Sequence, residues 1–170
     1  PDVTLLEMSE NLGFAEGNNV GIRHAMASGA DFVLLLNNDT EVDSGLIPAF
    51  LDTWNALSSP GFLGARIYYH HDRDRIWLGM PRWNTDAHQF EFDGFDEIDG
   101  GQYGMEPIPV DYACGCALFV GTDVIRKIGT MDERFFCYFE EIDWCYRGRA
   151  QGFSSHVVPA AKVWHKVSVS

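Results

Sequence analysis

Two short stretches of this 170-residue chain concentrate the side chains able to do chemistry. The first, Asn37-Asn38-Asp39, follows directly on the apolar run Phe32-Val33-Leu34-Leu35-Leu36. Ligands of open α/β sheets bind beyond the carboxyl ends of strands, so a carboxylate there is placed for a hard cation that wants oxygen ligands. Taken alone, the same residues also describe an Asx turn that merely closes a loop. The second stretch is Phe135-Phe136-Cys137-Tyr138-Phe139-Glu140-Glu141-Ile142-Asp143-Trp144-Cys145-Tyr146-Arg147. Its carboxylates fall at a helix start, where the dipole favours each ionised form by a few tenths to ~1 kcal/mol. Glu140, Asp143 and Arg147 share a helix face by their spacing, and Asp143 is expected to pair with Arg147. Glu141 points elsewhere, out of the helix start and into a cleft.

Other reactive residue types carry less. Cys114 and Cys116 lie two apart in an apolar stretch and would share one face of a strand. Neither they nor Cys137 and Cys145 have the spacing of common zinc knuckles, so buried free thiols in a reducing compartment are expected. His70 and His71 are expected to be solvated loop residues. The net charge of −13, from 25 acidic and 12 basic side chains, repels nucleic-acid phosphates and excludes a nucleic-acid partner. A phosphate-bearing substrate faces the same repulsion unless a divalent cation offsets it locally. The longest apolar run is far short of the ~20 residues that span a bilayer. No secretory signal is visible, and the chain is expected in the cytoplasm or at the cytoplasmic face of a membrane.

The elements that must position these residues alternate short apolar runs with helical stretches, which predicts an α/β fold. Val3–Glu7 reads as a strand, followed by a Gly- and Asn-rich turn. Asn18 caps a helix from Asn19 to Ser28, with Gly29 as its stop. Phe32–Leu36 reads as a strand buried on both faces. Ser44 caps a helix from Gly45 to Leu57, and Phe62–Tyr68 is the next strand. Residues 69–109 lose the pattern and suggest irregular loops with one hairpin. Val110–Val120 returns to strand character, Asp123–Ile128 is a short helix, and Glu141–Gln151 is another. Ser155–Val158 and Lys162–Lys166 close the chain as extended pieces. The length suits one domain over residues 1–170.

Two segments, NLGFAEGNNVGIRHAMASGADFVLLLNNDTEVD and GCALFVGTDVIRKIGTMDERFFCYFEEIDWCYRGRAQGF, resemble family 2 glycosyltransferases, especially the rhamnosyltransferase-like and galactofuranosyltransferase-like branches. The resemblance implies a GT-A-like fold, a mixed, mostly parallel sheet flanked by helices. It implies inverting transfer of a sugar from a nucleoside-diphosphate donor, UDP- or dTDP-linked, to a saccharide hydroxyl. Asn37-Asn38-Asp39 matches the family's Asp-x-Asp-like motif with only the last carboxylate kept. Asp39 is thereby implied as a ligand of Mn²⁺ or Mg²⁺, with Asn37 and Asn38 as polar contacts. Trp164-His165 matches a later His after a Trp, which makes His165 the second metal ligand. The acidic pair before a helix makes Glu141 the general base where the family usually has Asp, with Glu140 beside the substrate. Asn11, Gly13, Ala15 and Asn19 would flank the nucleotide, Gly115 and Trp144 the acceptor, and residues 69–109 would form an acceptor-side insert.

The opening strand-helix-strand portion of the family has no counterpart here, so an exposed sheet edge and a homodimer through it are expected. A truncated, catalytically silent binding module is the competing expectation, and a carbohydrate-recognition module without transfer is a third. Rhamnose, galactofuranose, glucose and N-acetylated sugars all remain open as the donor.

Overall fold

The computed structural model describes residues 3–167. In chain order the elements are α1 (Gly13–Ala27), β1 (Phe32–Leu36), β2 (Thr40–Val42), α2 (Leu46–Ala56), β3 (Pro60–Tyr69), β4 (Ile76–Leu78), β5 (Met80–Asn84) and β6 (Gln89–Asp93). They continue with β7 (Ile108–Pro109), β8 (Ala117–Gly121), α3 (Thr122–Ile128), α4 (Glu140–Ala150) and β9 (Ser154–His165). The main sheet runs β1-β8-β3-β9-β2, with β4 added on β3 and β7 on β9. β3 and β9 pair in parallel, while β8 lies antiparallel between β1 and β3. The carboxyl ends of β1, β3 and β9 therefore point the same way. The expected α/β sheet flanked by helices is present, with β5 and β6 as a separate hairpin.

Side chains alternate across a strand, and both faces of this sheet are covered. On one face Phe62, Leu118 and Val120 pack with Trp144 of α4 and Ile22 of α1. On the other, Leu63, Ala65, Ile67, Phe119 and Val163 pack with Phe50 of α2. Covering on two sides explains why β3 is apolar almost throughout. Each fully buried Phe or Leu contributes roughly 1.5–3 kcal/mol of hydrophobic stabilisation.

Several boundaries differ from expectation for identifiable reasons. Val3–Glu7 is not a strand: no strand of the described residues pairs with it, and Val3 and Leu5 are exposed. α1 starts six residues early, at Gly13, so Asn18 lies inside it and donates its amide to the Phe14 carbonyl instead of capping. At α2 it is Asp43, not Ser44, that accepts the Gly45 N–H, at 2.7 Å. Val110–Cys116 is a loop, so Cys114 and Cys116 share no strand face. The last two extended pieces are one strand, β9. Its register against β3 jumps from Val158 to Lys162, and the looped-out segment begins at Pro159, which has no N–H to give a ladder.

Candidate active site

At the end of β1 the chain turns under tight backbone control. Asn37 N–H donates to the Cys116 carbonyl at 3.0 Å, and Thr40 Oγ1 donates to the Asn37 carbonyl at 2.6 Å. β2 then pairs antiparallel with β9, setting Thr40 opposite His165, and Lys166 N–H donates to the Asp39 carbonyl. That register brings Asp39 Oδ1 to 3.0 Å from His165 Nε2 across 126 positions of sequence. The imidazole is buried edge-on to Trp77, with ring centroids 4.4 Å apart. A carboxylate oxygen and an imidazole nitrogen this close could both bind one divalent cation. Among the described residues no cluster of three or more His, Cys, Asp or Glu could hold a metal. A cation held by these two groups would need its other ligands from a bound substrate and water. Asn37 is half-buried beside this corner and Asn38 is exposed.

The second acidic site is built by a strained turn. Tyr138 and Phe139, which lead into α4, both hold left-handed φ values, 73° and 74°. Such backbone costs roughly 1–3 kcal/mol per non-glycine residue and persists only where surroundings enforce it. Here Phe14 N–H donates to the Phe136 carbonyl at 2.7 Å. A Cβ on Gly13 would lie 2.3 Å from that carbonyl oxygen, so only glycine lets the turns before α1 and α4 meet.

Glu141 leaves α4 into a cavity of about 390 Å³ walled by Phe90, Phe92, Tyr112, Tyr138 and Phe139. Its Oε2 is buried without a hydrogen-bond partner in the described structure. Burial raises its carboxyl pKa, partly offset by backbone N–H groups and reinforced by the charge of Glu140. Glu140 is itself buried, and burial raises its carboxyl too. A Cβ on Gly115 would sit 3.1 Å from the Phe14 ring and 3.9 Å from Glu141 Oε1. The Cys114–Cys116 loop thus touches Asn37 at one end and the Glu141 side chain in its middle, joining the two acidic sites.

Three expected substrate contacts belong to the scaffold instead. Trp144 is fully buried against Phe62, and its indole N–H donates to the Gly129 carbonyl at 2.8 Å. Asn19 spends its amide on both polar groups of the Met131 backbone, at 2.9 and 3.0 Å. Ala15 lies in the core. Asn11 is exposed at the start of α1, where its Oδ1 accepts the Gly13 N–H. Asp143 pairs with Arg147 at 2.7 Å, and Arg147 also donates to the Ile128 and Thr130 carbonyls, a structural clasp. The four thiols are unpaired, and burial pushes Cys114 and Cys145 up to about 12, which leaves them unreactive. His70 is half-buried, its Nε2 3.4 Å from Glu41 Oε2. The aromatic wall around Glu141 was not foreseen. Phe90 and Phe92 alternate in Gln-Phe-Glu-Phe-Asp, a period-two signal that marks one strand face, whereas nothing local marks Tyr112.

A sheet with a carboxylate–imidazole pair at its strand ends and a buried carboxylate in a neighbouring aromatic cavity has the GT-A fold. The chain superposes on the crystal structure of GalNAc-T7 with UDP, GalNAc and Mn²⁺ at a TM-score of 0.71 and 12% identity, covering 93% of this chain and 31% of that one. Residues 1–119 match the model of glycosyl transferase family 2, and the chain belongs to that family. It is 28% identical over 155 residues to the low-salt glycan biosynthesis hexosyltransferase Agl10 of Haloferax volcanii, covering 90% of this chain and 48% of that protein. It is 30% identical over 189 residues to the N-acetylglucosaminyl-diphospho-decaprenol L-rhamnosyltransferase of Mycobacterium tuberculosis, covering 97% and 59%. The chain thus spans about half the length of the curated relatives it matches.

Proposed function

We propose that this chain carries the metal and base residues of an inverting glycosyltransferase. It would move a sugar from a UDP- or dTDP-linked donor to a hydroxyl of a saccharide acceptor, in the cytoplasm or at the cytoplasmic face of a membrane. The observation that carries the reading is the meeting of Asp39 and His165 at 3.0 Å beyond the carboxyl end of β1. Support comes from the family, from relatives named as hexosyl- and rhamnosyltransferases, and from a similar fold solved with UDP and Mn²⁺. No helix of the described residues is long and apolar enough to cross a membrane.

Asp39 and His165 would hold Mn²⁺ or Mg²⁺, and the bound cation would stabilise negative charge on the departing diphosphate. Glu141 is the base. Gly115 and the α4 backbone steady its carboxylate, which takes the acceptor's proton. As the acceptor oxygen bonds to the anomeric carbon, the bond from that carbon to the diphosphate oxygen breaks, and the diphosphate leaves with the electron pair. A carboxyl whose pKa is raised is a stronger base, and general-base help is worth roughly 10²–10⁴ in rate. The aromatic walls of the cavity offer faces for a sugar ring.

Calorimetric titration with Mn²⁺ together with UDP or dTDP tests the reading. Binding should require the metal and weaken in Asp39→Asn; absence of heat with both nucleotides would remove the metal site from the proposal. A self-association role finds support in β1, which pairs only with β8 among the described residues. Sedimentation equilibrium reads it directly, since a monomer at high concentration rules out a dimer through that edge.

A further inference from the structure

We propose that a second pocket, on the α4-facing side of the sheet, is an oxyanion subsite for an acidic saccharide. Its volume is about 410 Å³, and Arg66, Lys162 and Arg73 surround an aromatic floor of Tyr68 and Trp164. In a chain of net charge −13, three of twelve basic residues line this one pocket, opposed by the carboxylates of Asp74 and Asp99.

Arg66 is the anchor. It sits inside a sheet strand and is only 3% exposed, with Nη1 at 2.8 Å from Asp99 Oδ2. Its Nε and Nη2 have no acceptor in the described structure. A buried guanidinium with unmade N–H groups is under-satisfied, and because Arg66 lines the pocket a ligand oxygen that reaches it would complete the set. Asp99 is fixed in turn, accepting from Tyr68 Oη at 2.6 Å and from Gly101 N–H at 2.9 Å, so it orients the guanidinium fork. A planar fork with two unpartnered N–H groups suits the paired oxygens of a carboxylate or phosphate.

The other groups complete the site. The Lys162 ammonium lies 5.9 Å from the centroid of the Tyr68 ring and makes no ion pair among the described residues. Arg73 covers the Trp164 ring at 4.1 Å while pairing with Glu41, and its carbonyl accepts the Trp164 indole N–H. Tyr68 and Trp164 lie nearly parallel, with centroids 6.2 Å apart, a surface on which the C–H face of a sugar can pack. The irregularity in β9 is what assembles this surface. It sets Lys162 opposite Arg66 and Trp164 opposite Tyr68, although Val158, just before it, faces the α2 side with Ala65. Registered pairs share a sheet face, so all four side chains come together.

The pocket also lies within reach of the Glu141 cavity. Gly64, two residues or roughly 7 Å before Arg66 on the same face, is covered by Ala113 of the loop that continues to Gly115. An acceptor of a few sugar units could then present its hydroxyl to Glu141 and its acidic group to Arg66. Assigning the ligand as the acceptor rests on the proposed transfer activity; binding of the oxyanion does not.

The test is titration of the protein with glucose, glucuronate, glucose 6-phosphate and inorganic phosphate. It is followed by calorimetry and by the NMR signal of the Trp164 indole N–H, assigned through Trp164→Phe. Glucuronate or glucose 6-phosphate should bind and shift that signal, with glucose weaker by roughly tenfold or more, the worth of one charge-assisted hydrogen bond. Lys162→Gln should weaken the acidic sugars about tenfold, and Arg66→Gln should abolish their binding. Equal affinity for glucose and the acidic sugars, a silent Trp164 signal, or an unaffected Lys162→Gln would overturn the proposal. Inorganic phosphate binding as tightly as glucose 6-phosphate would overturn the saccharide part. Lys162→Gln leaves the Arg66–Asp99 pair intact, so it decides the matter even if Arg66→Gln does not fold. Mn²⁺–UDP binding in the same samples is independent of these residues, so its loss or survival tells failure of this subsite from failure of the transferase reading.

Discussion

Asp39 and Glu141 are both carboxylates near the Cys114–Cys116 loop, and the fold positions them by different means. Asp39 meets His165 through strand register: β2 beside β9 fixes both backbones, and the side chains follow. Glu141 is set by a left-handed turn at Tyr138 and Phe139, a carbonyl pinned by Phe14, and burial among aromatic rings. A site hung on a sheet ladder should keep its geometry when one side chain changes. One held by a strained turn should be sensitive to residues that never touch the ligand. On the proposed roles, the contrast separates metal affinity from proton transfer as two independently breakable properties.

The sharpest break is at Glu141. Glu141→Gln keeps the shape and removes the proposed base, so transfer measured at the full length of the family relatives should fall by roughly 10²–10⁴-fold. Mn²⁺-dependent nucleotide affinity should stay within about twofold, well under 1 kcal/mol. Unchanged turnover would take Glu141 out of the base role. On the other side, His165→Ala or Asp39→Asn should weaken metal-dependent nucleotide binding at least as much as losing an outer-shell partner does, roughly 10–100-fold. Calorimetry against Mn²⁺–UDP reads that loss. The thermal unfolding midpoint of Asp39→Asn should move little, because β2 and β9 remain paired.

Much of this contrast was legible in the residues, and the illegible part has a physical cause. A five-residue apolar run closed by Asn-Asn-Asp marks a strand and its carboxyl end, so Asp39 could be placed without a partner in view. His165 could be joined to it only through the family resemblance, because antiparallel register between β2 and β9 is a long-range property that no local pattern encodes. Trp144 was misassigned although its spacing held the answer. Glu140, Trp144 and Gly148 recur every four residues and form the buried stripe of α4. Likewise Ala15, Asn19 and Ile22 are the inward stripe of α1, which places Asn19 on a loop backbone rather than on a nucleotide. Arg66 stayed hidden because a lone cation in an apolar strand has no periodic signature, and its meaning depends on the register of β9.

The dependence of Glu141 on distant backbone can be tested at Gly13. Gly13→Ala puts a Cβ against the Phe136 carbonyl and forces a non-glycine residue into φ 76°. The left-handed backbone alone costs about 1–2 kcal/mol, which should lower the unfolding midpoint by several degrees. Turnover should drop with Mn²⁺–nucleotide affinity unchanged, as the turn before α4 shifts while the Asp39 corner does not. A loss of both together would mean that the two sites are not independently positioned.

The smallest expected effect separates burial from other causes of the Glu141 environment. Burial raises this carboxyl above its ordinary value of 4.5, so the folded chain holds the proton more tightly than the unfolded one. Between the ordinary value and the raised one the folded state therefore binds more protons, and stability falls as pH rises through that window. Above the window the chain carries a buried charge whose desolvation is no longer avoided. Glu141→Gln deletes that ionisation. Its unfolding midpoint should exceed the parent's at neutral pH, and the gap should close below about pH 4, where both states of the parent are protonated. A gap that is constant across pH would trace the gain to packing or to the helix start. A gap that opens as pH rises through the window and is complete above it would tie the raised pKa of Glu141 to its burial.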